Sequence, residues 1–144
     1  MRIPWPAPKT ISAQQQLPPV RLVAIGEFTD GSFVAPNAWH RVNAETPEGE
    51  LVGRVSYGVS PLRDRIYVDG LHVERHQRRK GYGTSILVEV AKVCPSVPIT
   101  ALHEVQASKG FWSKLRLAAA PDLTVTLDVR LSEMTEEARR WKSV

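Results

Sequence analysis

The sequence predicts a mixed α/β domain, a central mixed β-sheet with helices on both faces. Three observations lead there. Runs rich in β-branched and aromatic residues recur along the chain, separated by glycine, proline and other turn residues. Between two of these runs the apolar period lengthens from two residues to three or four, which marks a helix face rather than a strand. No internal repeat is visible, so strands and helices belong to one layered α/β or α+β domain rather than to a solenoid.

The elements follow in order. Residues 1–19 hold Pro4, Pro6, Pro8, Pro18, Pro19 and a glutamine run, the composition of an extended arm, and the packed domain is expected over 20–144. "RLVAIGEF" (21–28) reads as a first strand and "GSFVAPNA" as a loop. "WHRVNAET" and "ELVGRVSYGVS" flank "PEG", two strands of a hairpin turning at Pro47–Gly49. "DRIYVDGLHVE" (64–74) is apolar on both alternating sets, as a central strand covered on both faces should be. From Gly83, small or apolar residues at 83, 86, 87, 90, 91 and 94 form one helix face, and Pro95 and Pro98 end that helix. "ITALHEV" (99–105) reads as a strand, "ASKGFWSKL" (107–115) as a short helix and "LTVTLDVRL" (123–131) as a late strand of clean alternation.

Composition narrows the class. A chain of 144 residues suits one domain, and 42% hydrophobic with 24% charged residues is ordinary for a globular protein. No apolar run reaches the ~20 residues of a membrane span, and residues 1–20 lack the apolar middle of a secretory signal, so a cytoplasmic location is expected. The single cysteine, Cys94, falls on the apolar helix face and reads as a core residue. A net charge of +4 and a pI of 9.5 favour an anionic partner. Near the end, Glu133, Glu136 and Glu137 precede Arg139, Arg140 and Lys142, the pattern that complements a helix dipole and reads as a solvated terminal helix.

The most informative stretch is "RHQRRKGYGTSIL" (75–87), where basic residues precede Gly81-Tyr82-Gly83 and a helix. A helix start offers unsatisfied N–H groups and the positive end of a dipole, and glycines let backbone approach an anion. No Gly-Lys-Ser/Thr closes the loop, which excludes a Walker A site, and Ile86 stands where a dinucleotide fingerprint needs its third glycine.

Arg78-x-x-Gly81-x-Gly83 after a strand ending Leu71-His72-Val73 resembles the cofactor motif of the GNAT acetyltransferase superfamily. "GELVGRVSY", with Gly53 at its centre, resembles the family's hairpin strand. "GFWSKLRL" resembles its Phe-Tyr-x-Lys-Leu-Gly-Phe segment at Phe111, Lys114 and Leu115, so the likeness spans 39–117. It implies a GNAT-like fold with acetyl-CoA as co-substrate. By resemblance, the amides from Arg78 to Thr84, through Arg79, Lys80, Gly81, Tyr82 and Gly83, hold the pyrophosphate. Leu71, His72 and Val73 run beside the pantetheine arm, Val73 pairing with it like a strand, and Phe111 contributes from the later helix. The implied reaction carries acetyl to a primary amine by direct attack in a ternary complex, with a backbone N–H near Val73 polarising the thioester oxygen. Relatives often pair through their late strands, which would put 123–131 in a homodimer.

Departures from the pattern locate what the resemblance does not reach. Only residues 29–38 are available where the family places two helices that shape the acceptor pocket, with Phe33, Asn37 and Trp39 nearby. Trp112 replaces a tyrosine that often protonates the departing thiolate, and Arg116-Leu117 replaces Gly-Phe. Tyr67 stands where some histone-type relatives carry a glutamate base. An amine of pKa about 10.4 must lose a proton before attack, and Asp69 and Glu104 are the carboxylates near strand ends. Each is a candidate base and each is equally a candidate structural acid. His72 and His103 read as packed or hydrogen-bonded residues without metal-ligand spacing, so no metal is expected. Two other readings stay open: a GNAT-fold module that binds CoA or a partner without catalysis, and a nucleic-acid binder using Arg75, Arg78, Arg79 and Lys80. The last lacks interleaved aromatics, Tyr82 apart.

Overall fold

The computed structural model describes residues 17–104, 108–117 and 123–142. Its elements are β1 (Arg21–Phe28), β2 (Trp39–Glu45), β3 (Leu51–Val59), β4 (Ile66–Val73), α1 (Tyr82–Ala91), β5 (Ile99–Ala101), α2 (Lys109–Leu117) and α3 (Met134–Lys142). The strands form one sheet in chain order, antiparallel from β1 to β4, with β5 parallel to β4. This is the mixed sheet expected.

Alternation along β4 divides the core in two. Ile66 and Val68 face a cluster with Val42, Val55, Ile86, Leu87, Val90 and Trp112, which places α1 and α2 on that side. Tyr67 faces the other way, into a cluster with Val34, Trp39, Leu102, Val129, Ala138 and Trp141. Helices therefore lie on both faces. Cys94 is buried in the first cluster. The hairpin turns where expected: Gly49 N–H donates to Thr46 O at 2.9 Å, and Gly49 takes a φ of 96° that a side chain would resist. At Gly53 the strands β3 and β4 touch so closely that a Cβ would lie 2.3 Å from His72 O.

Four expectations need correction. The run 64–74 is covered on both faces only over Ile66–Val68, while Asp69 and Gly70 are exposed. The strand read at 99–105 stops at Ala101, because His103 turns out of it at a φ of 51°; residue 105 lies outside the described residues. The run 123–131 is no continuous strand, only isolated parallel bridges of Val125 with Ile99 and Val129 with Leu102. Its ladder breaks in the middle, where Arg116 Nε takes Thr126 O at 2.6 Å and Leu127 stands 78% exposed. Finally, the terminal helix is not merely solvated: Ala138 and Trp141 are buried on the sheet.

That docking is polar as much as apolar. Phe33 meets Tyr67 and Trp141 edge to face, at ring centroids of 5.1 and 5.6 Å. The Tyr67 hydroxyl donates to Glu137 and accepts from Arg140 at 2.9 Å; Arg65 bonds Glu137 at 2.8 Å and Arg140 pairs with Asp64. Burial, reinforced by the Glu137 carboxylate, pushes the Tyr67 hydroxyl pKa well above its usual range. Asn37 donates to Val59 O at 2.8 Å and Trp39 is buried, so residues near the short connection hold the fold.

Candidate functional site

A groove opens where β4 and β5 part. They pair for three residues, Ile66 with Ile99, Tyr67 with Thr100 and Val68 with Ala101, and one more bond runs from Leu102 N–H to Val68 O at 2.8 Å. On its other edge β4 carries a bulge: Gly70 and Leu71 together oppose Val55, with Gly70 at a φ of 63°. Only glycine takes that conformation freely. Past the bulge, Glu74 N–H donates to Val52 O at 2.8 Å, so strand alternation turns the peptide groups of Val73 away from β3 and into the gap.

The amino end of α1 meets the same gap. Gly81 caps it with a φ of 90°, and no side chain hydrogen-bonds to the helix start. Most helices place a serine, threonine or aspartate oxygen there; this one leaves its N–H groups and dipole for an anion. Arg79 is also left-handed, at a φ of 65°, giving the loop the curled backbone that makes anion-binding nests. Gly83 admits the Phe111 ring, which a Cβ would meet at 3.0 Å. Leu17 and Pro18, the described end of the proline-rich arm, lie against Gly81, at 3.4 and 3.2 Å from a Cβ built there.

The resulting cavity, about 560 Å³, is lined by Leu71, His72, Val73, Arg78, Arg79, Gly81, Tyr82, Gly83, Thr84 and Phe111. Lys80, expected with them, instead bonds Gln77 Oε1 at 3.1 Å. Gln77, Ser108 and Trp112 also line the cavity and were not singled out as cofactor contacts from sequence. Gln77 is buried and donates to Glu50 Oε2 at 2.9 Å, tying the basic loop to the start of β3. No local pattern marks that pair, because its partners are far apart in sequence. Arg78 Nε donates to Val73 O at 3.0 Å. A second groove, about 540 Å³ between Val88 and Leu123 at the other end of α1, has neither a helix start nor a glycine turn.

The two carboxylates singled out above are not brought together in this cavity. Glu104 is buried against Arg116, whose Nε also holds Thr126 O, an arrangement that commits the carboxylate to an ion pair. Asp69 is exposed beside the bulge and, among the described residues, carries no ion pair. His72 faces Glu74 at 3.3 Å and His103 is exposed. Tyr67 is fully buried on the α3 side, away from the groove.

Comparison with known proteins adds two findings. The profile described as "Acetyltransferase (GNAT) family" matches residues 8–115. Among solved structures, "a putative acetyltransferase from Deinococcus radiodurans R1" is 20% identical, with a TM-score of 0.44, and the match covers 60% of each chain. No curated protein matches the chain.

Proposed function

Because the chain belongs to the acetyltransferase (GNAT) family, we propose that it transfers an acetyl group from acetyl-CoA to a primary amine, by direct attack in a ternary complex. The observation that carries this reading is the uncapped start of α1, facing the same groove as the peptide edge of β4 beyond its bulge. The pyrophosphate would rest on the amides of residues 78–84, with Arg78 and Arg79 offsetting its charge. The pantetheine arm would lie along Leu71 and Val73. Pairing with Val73 O would displace Arg78 Nε, freeing that guanidinium for a phosphate. The thioester would then lie near the Gly70 bulge, where an N–H turned out of the ladder can polarise its oxygen.

The chemistry asks little of side chains. The amine nitrogen bonds the acetyl carbon, the carbon–sulfur bond breaks, and the amine proton passes to Asp69 directly or through water. Trp112 lines the groove and would donate a hydrogen bond to the leaving thiolate without giving up its proton, which then comes from solvent. Glu104 serves as a structural acid in this reading. Holding amine and thioester together supplies much of the rate. Among the described residues no helix is long and apolar enough to cross a membrane, which fits our reading of a cytoplasmic enzyme.

Calorimetric titration of acetyl-CoA into wild type and an Arg78→Glu, Arg79→Glu variant tests the proposal. Both side chains are exposed, so the variant should fold. We expect wild-type binding to weaken at least about tenfold, the loss of one or two charge-assisted contacts to phosphate. A folded wild type that binds no acetyl-CoA overturns the reading. Binding without release of CoA in the presence of any amine would leave a non-catalytic CoA-binding module, the reading that the ion-paired Glu104 and the indole of Trp112 favour.

A further inference from the structure

Among the described residues, the sheet face opposite α1 is only half covered. Its lower rows hold Phe28, Trp39, Gly58 and Tyr67, under the short connection and α3. The next row places Arg41, Ser56 and Asp69 directly opposite one another, and the row above places Asn43, Arg54 and His72. Directly opposed residues share a face and alternate with the buried side, so these six side chains project from the face that α3 leaves open. Arg41, Arg54 and Asp69 are exposed, the others partly so.

The charges on this face are uncommitted and polarised. Neither Arg41 nor Arg54 is ion-paired among the described residues, and Arg41 rests over the Phe28 ring at 5.5 Å. Glu74, the nearest acid along β4, is taken by His72. The negative group, Asp69, stands on β4 beside the bulge. Arg54 stands one strand over and one row up, about 7–8 Å away on the diagonal, and Arg41 stands two strands over in the same row, about 10 Å away by strand spacing. A complementary ligand carries an ammonium where Asp69 is and carboxylates further out. Asp69 disfavours a polyphosphate backbone, and an open sheet face lacks the concave walls that small-molecule sites use.

We infer that this face docks the acceptor as an extended polypeptide, its free amine at Asp69 and acidic side chains within its next few residues on Arg54 and Arg41. The inference rests on the transfer reading for what happens to the amine, but docking itself does not.

Fluorescence anisotropy with short peptides of equal length tests it, using a free amino terminus followed by acidic, neutral or basic residues and a label at the carboxyl end. Wild type should prefer the acidic peptide. An Arg41→Glu, Arg54→Glu variant should bind it about tenfold more weakly and gain affinity for the basic one. The gentler Arg41→Gln, Arg54→Gln pair should lose about threefold, guarding against misfolding of the reversal. Acetylating the acidic peptide's amine should weaken binding to wild type and not to Asp69→Asn. Equal binding of the three peptides, no effect of either arginine pair, or equal competition by a short single-stranded RNA overturns the inference. Calorimetry with acetyl-CoA on the same proteins separates the two readings. Acidic-peptide binding without acetyl-CoA binding would sink the transfer reading and keep the docking face; the converse would do the opposite.

Discussion

The helices α1 and α3 pack on opposite faces of β4, yet they are held by opposite means. α1 contributes Ile86, Leu87 and Val90, all fully buried, each worth roughly 1.5–3 kcal/mol of burial, and leaves its amino end uncapped. α3 contributes Ala138 and Trp141 and relies on a polar lattice in which Tyr67, Glu137, Arg140, Arg65 and Asp64 bond one another, while Asp64 Oδ1, Arg65 Nε and Trp141 Nε1 stay buried without a hydrogen-bond partner among the described residues. A helix anchored by hydrocarbon keeps its polar end free for a ligand. A helix anchored by charges has spent them on the fold. The division of labour predicts that damage on the α3 side should lower stability and spare acetyl-CoA affinity, whereas damage at the groove should reverse that order.

The largest effect is expected where both sides share backbone. Gly53→Val would force a side chain into His72 O and Ile86 Cδ1, and should cost on the order of 3 kcal/mol in urea denaturation while also degrading acetyl-CoA binding. Glu137→Ala should cost about 2 kcal/mol, because it strands the Tyr67 hydroxyl and two guanidinium groups in a half-buried site, with acetyl-CoA affinity held within about twofold. If affinity fell with stability, the two faces would not be separable.

Tyr67→Phe should cost about 1 kcal/mol near neutrality and carry a pH signature. The hydroxyl pKa is raised in the folded state above its ordinary 10.0, so the folded chain keeps a proton that the unfolded chain releases. Its stabilisation is complete below pH 10 and declines as pH rises beyond, so the variant should show a shallower alkaline loss than wild type in thermal melts. Parallel alkaline profiles would remove Tyr67 from the explanation. The smallest effect belongs to the arm: Leu17→Gly, Pro18→Gly should leave stability within about 0.5 kcal/mol and weaken acetyl-CoA by only a few-fold, through a looser Gly81 turn, measurable by calorimetry.

The same contrast explains what the sequence could reveal. The groove was legible because it is made of backbone, and backbone sites need glycines at fixed local spacing: Gly81 and Gly83 announce the helix start that Arg78 and Arg79 flank. The hydrophobic period likewise announced α1, since its buried face is continuous. What stayed hidden depends on partners distant in sequence. Tyr67 with Glu137 and Arg140, or Glu104 with Arg116, leave no periodic trace, which is why the last helix read as solvated and Glu104 as a possible base. The alternation at 123–131 was real, but alternation reports side chains. The break there lies in the main chain, where a guanidinium has taken Thr126 O.

Gly70 is the residue that the sheet could do without. Counting along β4, its removal would bring Leu71 alone opposite Val55 and leave Asp69, His72 and Val73 facing the sides they face now. A chain one residue shorter should therefore fold, with a more regular strand and a poorer groove. A single codon in this gene would then separate a good sheet from a working site, and a screen that scored only folded, soluble protein would never notice its loss.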